Sequence, residues 1–181
     1  MLKNNPEPSD ELLRCFDEAE KEIEPRTRQW LWDHPNVGSL HGIGSVWIIN
    51  PRGEVLCSKR SENLKSNPGR WQTYFGGKVP VGETPKQTAI RELSEEIDIK
   101  ASENNLFSVK ETQRIGRYVY PHDADATSFG FPDGEITEVK WMTFEKIKES
   151  EKKQPELWCN LIAPEYEDTL LKLLGSKRIV G

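Results

Sequence analysis

Three glutamates, Glu92, Glu95 and Glu96, stand at positions i, i+3 and i+4. On a helix this spacing gathers their carboxylates on one patch. Like charges so placed repel, by roughly a few tenths of a kcal/mol per pair. Arg91 can pair with Glu95 four residues on, which leaves the patch net negative. A hard divalent cation, Mg²⁺ or Mn²⁺, would remove the repulsion and take the oxygens as ligands. Such an ion bridges carboxylates to phosphate oxygens and activates water. A glutamate-rich helix face is more often simply solvated, so the triplet alone does not decide. Its surroundings do more: the pair Gly76-Gly77 lets backbone approach a ligand, and Glu83 stands just before the helix.

The helix that must position these acids is legible. Thr84 is a good N-cap and Pro85 a good first residue. Ala89, Ile90, Leu93 and Ile97 share one side, roughly 130° from the acidic patch at about 100° per residue. One flank can therefore be buried while the other presents carboxylates.

Around this stretch the chain alternates strands and helices. Ser9 or Asp10 can cap an N-terminal helix whose apolar stripe is Leu12, Phe16, Ala19 and Ile23, ended by Pro25. Trp30, Leu31 and Trp32 follow; they suit pinning this extension to the core, a dimer contact or a wall of the substrate pocket. Residues 43–60 read as a hairpin turning at Asn50-Pro51-Arg52-Gly53, and 61–69 as a surface loop. Arg70 to Phe75 then leads as a strand into the glycine pair. Beyond the acidic helix, 106–111 and 114–120 read as strands, 121–134 as a long loop and 136–144 as a strand running into a short helix. Residues 148–156 read as a charged, exposed stretch. Pro164 opens a last helix that Gly175 stops. The order predicts a mixed α/β class. The expected division is a helical extension over 1–38, one domain over 39–175 and a tail over 176–181, with 1–8 a loose arm.

The chain has 181 residues, 35% apolar and 30% charged, with six Trp and a net charge of −5; mean hydropathy is −0.72 and the pI near 5.4. This acidic balance disfavours non-specific nucleic-acid or anionic-membrane binding but not phosphorylated substrates reached through a bridging cation. Cys15, Cys57 and Cys159 are far apart and odd in number, with no metal-ligand spacing, as expected in a reducing cytoplasm. No signal peptide or membrane-spanning run is evident.

Gly77, Glu83, Arg91-Glu92, Leu93, Glu95-Glu96 and Ile99 resemble the Nudix box, G-x5-E-x7-R-E-U-x-E-E-x-G-U with U aliphatic. Every specified position matches except one: Asp98 replaces the last glycine. Asp tolerates a left-handed backbone better than most residues, so a small local cost is expected there. The resemblance extends over roughly residues 40–150 and implies an α/β/α sandwich on a mixed sheet. It implies a hydrolase that cleaves nucleoside diphosphates linked to another group, using a divalent metal and a water nucleophile. Carried over, Glu92, Glu95 and Glu96 are metal ligands, Arg91 orients them, and Glu83 supports the loop or joins the metal shell. Gly76 and Gly77 bring backbone near metal and phosphate, and Lys78 is either a phosphate contact or a solvated lysine. The general base is a box glutamate or a later acid among Glu135, Glu138, Asp133 and Asp125, with Glu135 favoured.

Substrate marks outside the box are weak. Trp71, Tyr118, Phe129 and Phe131 are candidates to stack on a base, or core. The run from Ser58-Lys59-Arg60 through Pro68-Gly69-Arg70-Trp71 is similar to the isopentenyl-diphosphate isomerase branch of the family. That branch needs a cysteine and a histidine where this chain has Phe75, Gly76, Gly77 and Lys78. A non-catalytic Nudix domain would have eroded acids, and here all are present. A homodimer through the N-terminal extension is the partner arrangement left open.

Overall fold

The computed structural model describes residues 9–35, 40–159 and 162–175. The expected arm over 1–8 and tail over 176–181 lie outside them.

The centre is β3 (Ile43–Ile49), an almost continuous apolar run, which suits a strand covered on both faces. It runs parallel to β8 (Ile115–Pro121), and antiparallel β7 (Phe107–Glu111) closes that edge. On its other side β3 pairs with β6 (Phe75–Lys78) along its first half. At its end it meets β4 (Glu54–Arg60), across a turn in which the Asn50 side chain accepts from the Arg52 and Glu54 amides. Next, β4 is flanked by β5 (Trp71–Gln72) and by β9 (Ile136–Thr143). The sheet has seven strands and is mixed, as expected. The strand expected over Arg70 to Phe75 is broken at Thr73-Tyr74, so that β5 pairs β4 while β6 pairs β3.

Alternation along β3 divides the interior. Val46 and Ile48 face the core under α2 (Pro85–Ile97), with Leu56, Phe75, Leu93 and Ile97. Trp47 and Ile49 face the core under α3 (Phe144–Lys153) and α4 (Pro164–Leu174), with Ile147, Trp158, Tyr166 and Leu170. Helix on sheet on helix is the α/β/α sandwich. The charged stretch expected from 148 is partly the second half of α3, with Glu151 buried beside Lys148. Among the described residues no helix is long and apolar enough to cross a membrane.

The structure overturns the expected N-terminal helix. The segment forms a hairpin of β1 (Leu12–Phe16) and β2 (Glu22–Thr27), followed by a short helix, α1 (Arg28–Asp33). The helical stripe is not the buried set: Leu12 is 47% and Ile23 44% exposed and Ala19 is exposed, leaving only Phe16 of the stripe covered, whereas Leu13 and Cys15, outside it, are buried. Asp17 closes the turn by accepting from the Ala19 and Lys21 amides, with Glu20 left-handed at φ 58°. On α1, Trp30 stacks on His34 and Trp32 lies under Lys65 Nζ, 4.3 Å from its ring centre.

Candidate active site

The acidic helix is fixed at both ends. Thr84 Oγ1 accepts from the Gln87 amide while Gln87 Oε1 accepts from the Thr84 amide, a reciprocal capping box. At the other end Asp98 adopts φ 57°, ψ 29° and donates its amide to the Leu93 and Ser94 carbonyls. It holds the left-handed position that the missing glycine would take.

Between these ends Arg91 organises the acids. Its Nε donates to Glu83 Oε1 at 3.0 Å, and its Nη1 reaches Glu95 Oε2 at 2.6 Å and Glu92 Oε1 at 3.2 Å. Thr88 Oγ1 donates to the second Glu83 oxygen at 2.7 Å. Both Glu83 oxygens are thus engaged in supporting the loop and Arg91. Of the two roles expected for Glu83, this geometry matches loop support.

Glu96 is 3% exposed. Its Oε1 accepts from the Gly76 amide at 3.4 Å; its Oε2 is buried without a protein partner. Burial, then the charges of Glu92, Glu135 and Asp133, hold its carboxyl well above the usual range. Glu92 is pushed up to about 7 by burial, against the pull of Arg91 and with the push of Glu95 and Glu135. A carboxylate oxygen left without a donor in the interior is costly unless a cation meets it. As the side chains lie, no group of three or more His, Cys, Asp or Glu among the described residues stands ready to hold a metal ion, and Arg91 holds Glu95 to its own side. The donor chemistry still fits Mg²⁺ or Mn²⁺: hard oxygens, one of them orphaned, in a region of uncompensated negative charge.

The glycine pair has two separate functions. Gly76 has φ 146°, and a Cβ there would lie 2.2 Å from the Gly44 carbonyl oxygen. A Cβ at Gly77 would meet Glu92 Oε1 at 2.2 Å. What the pair admits in this structure is strand β3 on one side and the Glu92 carboxylate on the other. Lys78 pairs in register with Ile43 and lies beside His41, whose pKa falls to about 4, first through burial and then through the Lys78 charge.

Of the four later acids, two come to the site. The Glu135 amide donates to Asp133 Oδ1 at 2.9 Å, and the Glu135 carbonyl accepts from the Ser61 amide at 2.8 Å, which ties this loop to the end of β4. Both charges bear on Glu96. Glu138 is exposed on β9 opposite Lys59, and the Asp125 carbonyl accepts from Ser128 in an exposed turn. Among the stacking candidates, Tyr118 is fully buried with its hydroxyl on Glu111, hence core. Trp71 is half-buried with Lys140 Nζ 3.7 Å from its ring centre, and Phe129 and Phe131 pack against the core under α2.

The sequence reading missed Arg28 and Arg117. Arg28 is buried, pairs with Glu11, and its charge bears on Glu92. Arg117 Nη1 donates to Ser45 Oγ at 2.5 Å and lies over the Tyr74 ring, with its Nε buried and unpartnered. A signal existed: Ser45 and Arg117 are polar residues at core-facing positions of apolar strands.

An acid-lined helix behind a glycine loop, on a mixed sheet, with buried carboxylates short of positive charge, defines a phosphoanhydride-cleaving type of site. The NUDIX domain model matches residues 40–160, and the chain belongs to the Nudix family. It is 28% identical over 115 residues to an uncharacterised Nudix hydrolase of Listeria innocua, covering 61% of this chain and 68% of that one. To the 8-oxo-dGTP diphosphatase of Escherichia coli it is 27% identical over 123 residues, covering 67% and 81%. To an isopentenyl-diphosphate Delta-isomerase of Pectobacterium atrosepticum it is 23% identical over 126 residues, covering 66% and 70%. The crystal structure of DR0079 from Deinococcus radiodurans superposes with a TM-score of 0.66 at 19% identity, over 92% of this chain and 100% of that one, a likeness of fold. Together with the box, the NUDIX match and the hydrolase relatives make the chain a Nudix hydrolase.

Proposed function

We propose that the protein hydrolyses the pyrophosphate linkage of a nucleoside diphosphate joined to another group, with Mg²⁺ or Mn²⁺ held by Glu92, Glu95 and Glu96. The observation that carries this is Glu96, buried with one oxygen unpartnered and facing the charges of Glu92, Glu135 and Asp133. Bound there, the ion would neutralise phosphoryl charge and acidify water. The chain's own residues supply the rest. Arg91, anchored on Glu83, sets the direction of Glu92 and Glu95. Glu135, fixed by Ser61, takes the proton from the attacking water as its oxygen bonds to phosphorus and the bridging P–O bond breaks. The leaving phosphate departs with the bridging oxygen.

Isomerisation of isopentenyl diphosphate is the alternative raised by one group of relatives. It needs a thiol at the loop before the helix, and all three cysteines are buried, Cys57 with its thiol pushed up to about 12 by burial. A panel of nucleoside triphosphates, nucleotide sugars, ADP-ribose, dinucleoside polyphosphates and isopentenyl diphosphate, with Mg²⁺ or Mn²⁺, separates the two. Release of a nucleoside phosphate is expected; isomerised isopentenyl diphosphate with no anhydride cleaved would replace this reading.

A further inference from the structure

The hairpin of β1 and β2 precedes residue 40, where the family match begins. It nevertheless docks on the loop of the box. The Arg14 amide donates to the Val79 carbonyl and the Val81 amide to the Leu12 carbonyl, each at 2.9 Å, so β1 lies as an added strand along residues 79–81. Along the same edge, opposite β2, the Gly42 amide donates to the Arg14 carbonyl at 2.9 Å. Leu13, Cys15 and Phe16 are buried in this contact.

One side chain links the hairpin to the acids. Arg14 holds Glu22 of β2 through two bonds, Nε at 2.7 Å and Nη2 at 2.8 Å, the paired geometry that fixes a guanidinium plane. Its remaining Nη1 donates to the Glu83 carbonyl oxygen at 3.2 Å. The Glu83 carboxylate in turn holds Arg91, and Arg91 holds Glu92 and Glu95. A continuous series of contacts therefore runs from Glu22 through Arg14, Glu83 and Arg91 to the carboxylates.

We propose that the N-terminal hairpin is a positioning clamp on the box loop, with Arg14 the positioning residue that fixes Glu83 and, through Arg91, the carboxylates. The kinetic part rests on the hydrolase reading above. Arg14 meets the box loop through the Glu83 carbonyl and sets where Glu83 stands. Small displacements of a catalytic constellation are costly in rate even when substrate still binds.

The structure supplies a matched control. Arg114 also ties the hairpin to the core, through Glu20 at 2.7 Å, and is as covered as Arg14, at 15% against 14% side-chain exposure. It contacts the hairpin turn and not Glu83. Arg14→Gln and Arg114→Gln should thus lose similar stability, and only the first should loosen the box loop.

The test has two readouts on the full chain. In metal-free protein, amide exchange at Val81 and Glu83 should quicken by about tenfold or more in Arg14→Gln and stay near wild type in Arg114→Gln. In the anhydride assay Arg14→Gln should lower kcat by about tenfold with KM within about twofold, and Arg14→Lys, which cannot make the fork, should behave alike. Equal exchange in the two glutamine variants, or an unchanged kcat in Arg14→Gln, would overturn the clamp. If wild type cleaves no anhydride, the functional reading fails, and the exchange data still decide whether Arg14 holds the loop.

Discussion

Replacing Glu92 by Gln should stabilise the metal-free protein at alkaline pH while disabling it. The Glu92 carboxyl is raised from 4.5 to about 7, burial being the largest cause. Because the folded value lies above the unfolded one, the folded state holds the proton more tightly. Below about pH 4.5 both states are protonated and there is no penalty. As pH rises from there through about 7 the folded protein loses stability, and above it the full cost applies. Each pKa unit between the two states corresponds to about 1.4 kcal/mol, so the charge costs about 3 kcal/mol at pH 8.5. The opposing pull of Arg91, 3.2 Å away, is already within that figure. Glutamine keeps the shape without the charge. For a chain of this length about 3 kcal/mol raises Tm by roughly 6–12 °C. Thermal unfolding of both proteins in chelator, near pH 4.5 and near pH 8.5, reads this directly. The gain should appear at the higher pH and vanish at the lower. With excess Mg²⁺ the gap should narrow, since the native wild type gains from binding the ion. A variant no more stable than wild type at about pH 8.5, or equally more stable at both, would refute the burial of an uncompensated charge here.

Adjacent glycines should fail in different ways. Gly76→Ala drives a Cβ into backbone at φ 146° and should cost about 2–4 kcal/mol, seen as a fall in Tm. Gly77→Ala meets only the flexible end of Glu92, so Tm should change little while activity falls by about tenfold or more. Asp98→Gly, at φ 57°, should add about 0.5–1 kcal/mol in thermal unfolding without altering turnover.

The sheet and the acidic helix were readable because their patterns are local. Thr84-Pro85 and the spacing of Ala89, Leu93 and Ile97 define α2 with no outside help. The Asn50 to Gly53 turn likewise defines the β3–β4 hairpin. The N-terminal segment misled because its decisive partner is distant in sequence. Leu12, Phe16, Ala19 and Ile23 recur at helical spacing, yet the backbone of residues 79–81 and 40–42 offers β1 hydrogen bonds that a helix there would forgo. Tertiary pairing overrides such a stripe. In the site, the grouping of Arg91, Glu92 and Glu96 was readable because they lie on one helix. Choosing Glu135 and Asp133 over Glu138 and Asp125 depends on the Ser61–Glu135 contact between two loops, and no spacing encodes that. Arg14 and Arg28 bear on the site from separate elements, and no spacing encodes that either.

The most direct test of the central claim compares wild type, Glu95→Gln and Glu96→Gln for anhydride hydrolysis with added Mg²⁺ or Mn²⁺. Metal-dependent cleavage falling by at least about a hundredfold in each variant is the predicted result. Activity unchanged by both substitutions would contradict the assignment of these carboxylates as the metal site.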